Sequence, residues 1–271
     1  MRKTALVTGA SAGIGSEFAR ELARDGFDLV LVARRRERLE QLAQALAGEL
    51  GTKTLVLQED LSDPAAPQRI YEAVQRDGIQ VDMLVNNAGA GIAKTFRDAP
   101  WSEHAQLIQV QVTAAAQLTH LFLPAMLERG YGRIIQVASL AALVPGVARS
   151  TLYPAAKAFL VRFSESLAAE LWGSGVYVCA VCPGFTLSEF HDVMGTRRAL
   201  AKLPRFMWQD ARSVARAGID AVMRNETVYV SGQVNQVLAH AVRMLSPRLA
   251  RTLMSQQGKR YRGAAPSGDH A

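Results

Sequence analysis

Tyr153 and Lys157 stand four residues apart in the segment YPAAK of a 271-residue chain. On a helix that spacing places a phenol and an ammonium on one face. A free phenol ionises near pH ~10, and a neighbouring cation stabilises the phenolate and lowers that value. A tyrosine tuned in this way approaches the range in which it can pass a proton to or from a carbonyl oxygen. An isolated pair of this kind is just as readily a surface pair, so the rest of the chain has to decide.

A second constellation lies near the start. TGASAGIG, residues 8–15, sets Gly9, Gly13 and Gly15 after a short apolar run, with Ser11, Ala12 and Ile14 between them. Glycines here allow a tight turn and let backbone N–H groups approach a pyrophosphate at a helix N-terminus. The spacing is G-x3-G-x-G rather than the commoner G-x-G-x-x-G. Next comes VARRRERL, at the end of a second apolar run. Where dinucleotide sites carry an acidic residue for the ribose, this chain offers Arg34, Arg35 and Arg36. Cations in place of a carboxylate suit a 2′-phosphate. The expected cofactor is therefore NADP(H), with Arg34 as its first contact. Arg35 and Arg36 also read simply as the basic start of a solvent-facing helix. Asp60 and Leu61 follow a third apolar run, where a carboxylate would meet an adenine amino group. Asn87, Ala88 and Gly89 follow a fourth, where small residues let the backbone pack near a ribose. Each of these stretches, taken alone, also reads as an ordinary turn.

The elements that must position these groups alternate. Apolar runs at 5–7, 28–33, 54–57, 81–86, 133–137, 176–181 and 227–230 read as strands. Helical patterns cover 13–25, 36–49, 64–76, 101–127, 152–172, 210–224 and 234–245. Continuously apolar strands alternating with helices imply a parallel sheet covered on both faces, and right-handed crossovers make it doubly wound and Rossmann-like. The α/β pattern reads as one domain over residues 1–260, followed by a basic tail at 261–271. Residues 185–208 read as a loop with short helices. Residues 105–127 carry no charge, but Gln106, Gln109, Gln111, Gln117, His120 and Pro124 argue for a buried interior helix rather than a membrane span.

Taken in order, TGASAGIG, NNAG, the serine of VASLAA, YPAAK and CPGFTLSEF resemble the short-chain dehydrogenases/reductases, closely over residues 3–190. The resemblance implies that Tyr153 protonates the substrate carbonyl during hydride transfer. It implies that Lys157 holds the nicotinamide ribose and lowers the tyrosine pKa, and that Ser139 bonds the same carbonyl oxygen. Pro183, Gly184 and Thr186 would border the nicotinamide and its phosphate. The family's usual asparagine on the long fourth helix is replaced by Gln111, which keeps the amide but adds a methylene. The implied activity interconverts a carbonyl and a secondary alcohol. A nucleotide-binding sensor with lost or weak turnover is the alternative, motivated by Gln111 alone. The resemblance also implies a homodimer or homotetramer built on the long helices.

Around and beyond Thr186 lie Phe185, Leu187, Phe190, Met194, Leu200, Leu203, Phe206, Met207 and Trp208, which suit a lipophilic ketone, acyl or steroid-like substrate. Arg197, Arg198, Lys202 and Arg205 lie among them and would receive an acidic group; equally, the apolar residues pack inward and the cations face water. The net charge of +7 concentrates at the end, where Arg243, Arg248, Arg251, Lys259, Arg260 and Arg262 face Asp269 alone. Peripheral membrane contact is one reading of that segment and a solvated helix with a tail the other; no nucleic-acid partner is expected. Two cysteines, Cys179 and Cys182, make no disulfide framework, and no signal peptide is visible, so a cytoplasmic location is expected. Their C-x-x-C spacing falls in a strand, where residues three apart face opposite sides, so neither redox nor metal chemistry is expected. The histidines, His191 in the substrate loop among them, show no ligand spacing.

Overall fold

The computed structural model describes residues 2–92, 94–146, 151–187, 189 and 204–244. The principal strands are β1 (Thr4–Thr8), β2 (Asp28–Ala33), β3 (Thr54–Gln58), β4 (Val81–Asn86), β5 (Gly132–Val137) and β6 (Val176–Cys182). Two short strands, β7 (Phe185–Leu187) and β8 (Trp208–Asp210), pair with each other, and β9 (Val228–Val230) closes the main sheet. That sheet is parallel throughout, in the order β3-β2-β1-β4-β5-β6-β9. The helices are α1 (Gly13–Arg24), α2 (Arg36–Leu50), α3 (Ala66–Arg76), α4 (Trp101–Ile108), α5 (Ala114–Glu128), α6 (Leu152–Glu170), α7 (Ala211–Met223) and α8 (Gln233–Met244).

The strands are apolar on both faces because both are covered. On one side Phe18, Leu22, Leu39, Leu46, Ile219 and Val222 of α1, α2 and α7 pack against Val7, Leu31, Val85, Ile135 and Val181. On the other, Ile70, Val74, Leu118, Phe122, Met126 and Leu167 of α3, α5 and α6 cover Leu6, Val30, Leu84, Ile134 and Val178. Successive strand residues thus enter opposite cores. The chain runs outward from β1 to β3 and returns to β4 on the other side of β1. Strand order therefore reverses between β1 and β4, and a crevice opens at their carboxyl ends, where such sheets bind ligands.

The doubly wound single domain expected from the pattern is present, with three local differences. The long helix at 101–127 is interrupted by a π-helical turn, Gln109–Thr113, which widens the helix around Gln111. α3 begins at Ala66, two residues beyond Pro64, and takes Pro67 into its first turn instead. The segment after Pro183 is not only loop and short helix, because Phe185–Leu187 and Trp208–Asp210 pair as parallel strands. Most of that segment, including Phe190, His191, Met194, Arg197, Arg198, Leu200, Lys202 and Leu203, lies outside the described residues. So do the tail at 261–271 and the basic positions from Arg248 onward. The stretch Trp101–Glu128 is long and apolar enough to cross a membrane by length and composition. Its Ala114, Leu118, Phe122 and Met126 are buried against the sheet.

Phe18 joins α1 to α7: it is fully buried, and a Cβ on Gly218 would sit 3.0 Å from its ring. Phe18→Ala should cost about 3–5 kcal/mol of unfolding free energy, as large-to-small changes in tight cores do. Urea denaturation measures this, and a loss below about 1 kcal/mol would contradict the packing described.

Candidate active site

The crevice is built from the glycine turn upward. Gly9 and Gly13 have φ of 67° and 57°, the left-handed region that suits glycine. At Gly15 a Cβ would lie 2.3 Å from the Gly9 carbonyl oxygen and 2.4 Å from Asn87 Nδ2, so no larger residue fits. Ala12 caps α1 without a side-chain hydrogen bond, and no acidic residue stands in the first turn. The free N–H groups and positive end of α1 therefore face the crevice uncompensated, which is what an anionic phosphate requires. Ile14 packs against the core below.

The NNAG segment is tied to this turn through Thr8, a residue that sequence reasoning passed over. Its buried hydroxyl donates to the Val85 carbonyl (3.2 Å) and accepts from the backbone N–H of Asn87 (2.9 Å) and Ala88 (3.1 Å). The Asn87 amide in turn donates to the Thr8 carbonyl at 2.9 Å. One hydroxyl thus sets the spacing between the two loops that flank the crevice. Gly89 lies against Gln111, whose side chain would be 3.1 Å from a Cβ there. Gln111 is buried, donates from Nε2 to the Ala90 carbonyl at 2.5 Å, and keeps Oε1 buried without a partner. The amide therefore supports the NNAG loop and retains a free acceptor.

Ser139 lies two residues beyond β5 and caps the short 3-10 turn Leu140–Ala142, its Oγ accepting from the Ala141 N–H at 3.1 Å. Tyr153, in the first turn of α6, is half-buried and hydrogen-bonded to Ser139. Lys157, one turn on, is 4 % exposed. Its Nζ donates to the Val137 carbonyl at 2.7 Å and lies 5.6 Å from the Tyr153 ring centroid. The pair is thus an interior one. The expected lowering of the tyrosine pKa is absent: burial pushes the phenol up to about 12, opposed by the hydrogen bond from Ser139. Burial also lowers Lys157 to about 8. The reason is geometric. The ammonium spends its closest contact on a backbone carbonyl, and both groups lose water, which favours the neutral form of each.

Pro183 accepts from the Leu140 N–H at 2.8 Å, joining the turn after β6 to the Ser139 loop. Gly184 is packed against Asn235 of α8, where a Cβ would meet the amide at 2.3 Å. Thr186 is buried in β7, its hydroxyl donating to the Gly184 carbonyl at 3.2 Å. Among the described residues, Ile92, Lys94, Phe96, His104, Leu107 and Leu152 line a small recess of about 10 Å³ that reaches Tyr153.

At the far end of the crevice the arginines divide. Arg34 is exposed and no ion pair to it occurs among the described residues; its carbonyl accepts from Gln58. Arg35, for which the sequence left a plain helix-surface role open, reaches Ser11 Oγ from Nε (3.2 Å) and Nη2 (3.1 Å). Asp60 turns one oxygen to the Ser62 N–H at 3.0 Å, and Leu61 is buried in the core. Cys179 and Cys182 are free, buried and on opposite faces of β6, with burial raising both thiols. No metal-ligand cluster occurs among the described residues.

Residues 3–198 match the family model for short chain dehydrogenases. The chain belongs to the short-chain dehydrogenase family. It is 35% identical over 231 residues to a ketoacyl reductase, HetN, of a Nostoc species, covering 85% of this chain and 79% of that protein. It is 32% identical over 243 residues to a very-long-chain 3-oxoacyl-CoA reductase of Anas platyrhynchos, covering 88% and 72%. A short-chain dehydrogenase from Sphingobium yanoikuyae, solved in complex with NADPH, superimposes with a TM-score of 0.79 at 30% identity, covering 99% and 98%.

For this dehydrogenase, Thr8→Val should leave two partly buried N–H groups unpaired and cost about 1–3 kcal/mol. A denaturant midpoint unchanged from wild type would show that Thr8 does not hold the two loops.

Proposed function

We propose that this dehydrogenase is an NADP(H)-dependent reductase of ketones, acting on a lipophilic, acyl or steroid-like carbonyl compound. The observation that carries the reading is the hydrogen bond between Ser139 and Tyr153, beside the buried Lys157, at the carboxyl edge of a sheet whose glycine turn has no room for side chains. The residues fit the cofactor. The α1 N-terminus with Gly9, Ser11, Ala12, Gly13, Ile14 and Gly15 would take the pyrophosphate. Arg34 and Arg35 would take the 2′-phosphate, and Asn87, Ala88, Gly89 and Lys157 the nicotinamide-side ribose. Pro183, Gly184 and Thr186 would border the nicotinamide. When bound, NADPH supplies the hydride.

The side chains do the rest. The substrate carbonyl oxygen accepts hydrogen bonds from the Ser139 and Tyr153 hydroxyls, which polarise it. A phenol held near 12 stays protonated across the physiological range, so the proton is in place when the carbonyl carbon is reduced. As Tyr153 gives that proton up, a phenolate forms in a site poor in water. The Lys157 ammonium is the adjacent cation able to stabilise it.

Phe185 and Trp208, with ring centroids 5.8 Å apart across β7 and β8, support an apolar substrate wall, as do the ketoacyl and oxoacyl relatives. Association of two or more copies through α5 and α6 in the cytoplasm completes the reading. It is supported by the exposed Leu127 and by the stacked Phe159 and Phe163, 5.6 Å apart.

Tyr153→Phe should lower kcat by at least about 100-fold while NADPH binding stays within a few-fold, measured by NADPH oxidation against a ketone panel and by cofactor fluorescence. Turnover within tenfold of wild type would remove Tyr153 from the chemistry. NADPH binding without consumption by wild-type protein on any substrate would favour a nucleotide sensor.

A pH profile gives a second test. The folded pKa of Lys157 lies below its ordinary 10.5, so the cation is present below about pH 8 and lost above it. For the free enzyme, reductive kcat/KM should fall about tenfold per unit above that point. A profile flat to pH 10 would contradict the assigned role.

A further inference from the structure

Three residues beyond Thr186, Glu189 reaches across to the opposite end of the crevice. Its carboxylate receives Arg35 Nη1 at 3.0 Å, and Arg38 Nη1 on both oxygens, at 2.7 and 2.8 Å. Arg35 is the same guanidinium that holds Ser11 in the glycine turn. The two arginines hold the Glu189 carboxyl below its ordinary range, so it is ionised at neutral pH. All three side chains are about half exposed, between 44% and 45%, so the pairs are screened by solvent and readily exchanged. Glu189 comes from the substrate side of the molecule, more than 150 positions away in the chain. Its charge is seated on guanidinium groups, one of which borders the glycine turn that would take the pyrophosphate.

A phosphate monoester carries a charge of about −1.5 to −2 at neutral pH and seeks the same planar pairs of N–H donors. A carboxylate occupying those donors opposes it, both by using the hydrogen bonds and by like charge. An unphosphorylated ribose, whose 2′-hydroxyl can donate to a carboxylate, meets no such opposition.

We propose that Glu189 is an internal competitor for the adenosine 2′-phosphate. By holding Arg35, one of the two guanidinium groups that would take the 2′-phosphate, and neutralising Arg38 beside it, Glu189 weakens NADPH binding selectively and narrows the preference over NADH. It also couples the segment after β7 to the phosphate end of the crevice, since a 2′-phosphate and the Glu189 carboxylate cannot both hold the same donors. The proposal rests on the NADP(H) reading above.

The test compares wild-type protein with Glu189→Gln, which keeps the shape and removes the charge. Dissociation constants are measured for NADPH and NADH, and for the probes adenosine 2′,5′-bisphosphate and 5′-AMP, which lack the nicotinamide. At low salt the variant should bind NADPH and the bisphosphate roughly 3- to 10-fold more tightly, as expected for one half-exposed charge. NADH and 5′-AMP should stay within about twofold. The gain should shrink as ionic strength rises. Unchanged or weaker binding of the 2′-phosphorylated ligands would overturn the proposal, as would equal tightening for NADH and 5′-AMP. If wild-type protein does not prefer the bisphosphate over 5′-AMP, the NADP(H) reading itself fails and the proposal falls with it. If that preference holds and Glu189→Gln leaves it untouched, only the role of Glu189 is refuted.

Discussion

A buried ammonium bonded to the end of a strand holds this site together. Lys157 Nζ donates to the Val137 carbonyl at 2.7 Å, and that contact fixes the first turns of α6 over the carboxyl end of β5. Ser139 lies two residues beyond Val137 and Tyr153 one helical turn before Lys157, so the same contact brings the two hydroxyls together. A lysine so poor in solvent is costly to keep charged, which its lowered pKa records. Thr151 precedes α6 without a side-chain cap, so the end of the helix is held by the Lys157–Val137 contact and by the Tyr153–Ser139 hydrogen bond. The ammonium therefore both anchors α6 and supplies a positive charge beside the phenol proposed to give up its proton.

The same economy governs the cofactor side. The hydroxyl of Thr8, placed at the end of β1, spans to two N–H groups of the loop after β4. Strand order reverses between those two strands, so the hydroxyl bridges the crevice where it opens. Gly15 must lack a side chain for the Asn87 amide to approach. Sheet topology chooses where the crevice lies, and a handful of polar contacts at the strand ends choose its width.

Much of this was legible in the chain. Apolar runs such as DLVLVA announce strands buried on both faces, and the strand–helix alternation sets the doubly wound topology. The glycines of TGASAGIG and the tyrosine–lysine spacing were readable because each is a local demand on backbone or helix face. What stayed hidden depends on distant packing. Nothing in RRRERL says that Arg35, and not Arg34, turns back to Ser11, since that requires the glycine turn to be in place. Glu189 pairs with α2 across more than 150 residues, beyond any periodicity. The π turn around Gln111 likewise leaves no trace in an apolar helical stretch without proline at that point. The pKa of Tyr153 could not be read because spacing reports that a cation is near, whereas burial, which wins here, is a property of the folded surroundings.

Lys157 is an interior ammonium whose pKa burial lowers. Selective 13C or 15N labelling of lysine, with Lys157 assigned by substitution, would follow its ionisation by NMR in the cofactor-free protein. The midpoint should fall near 8. A midpoint at the ordinary value of 10.5 would mean that the ammonium sits in solvent, and the anchoring contact together with the site built on it would be contradicted.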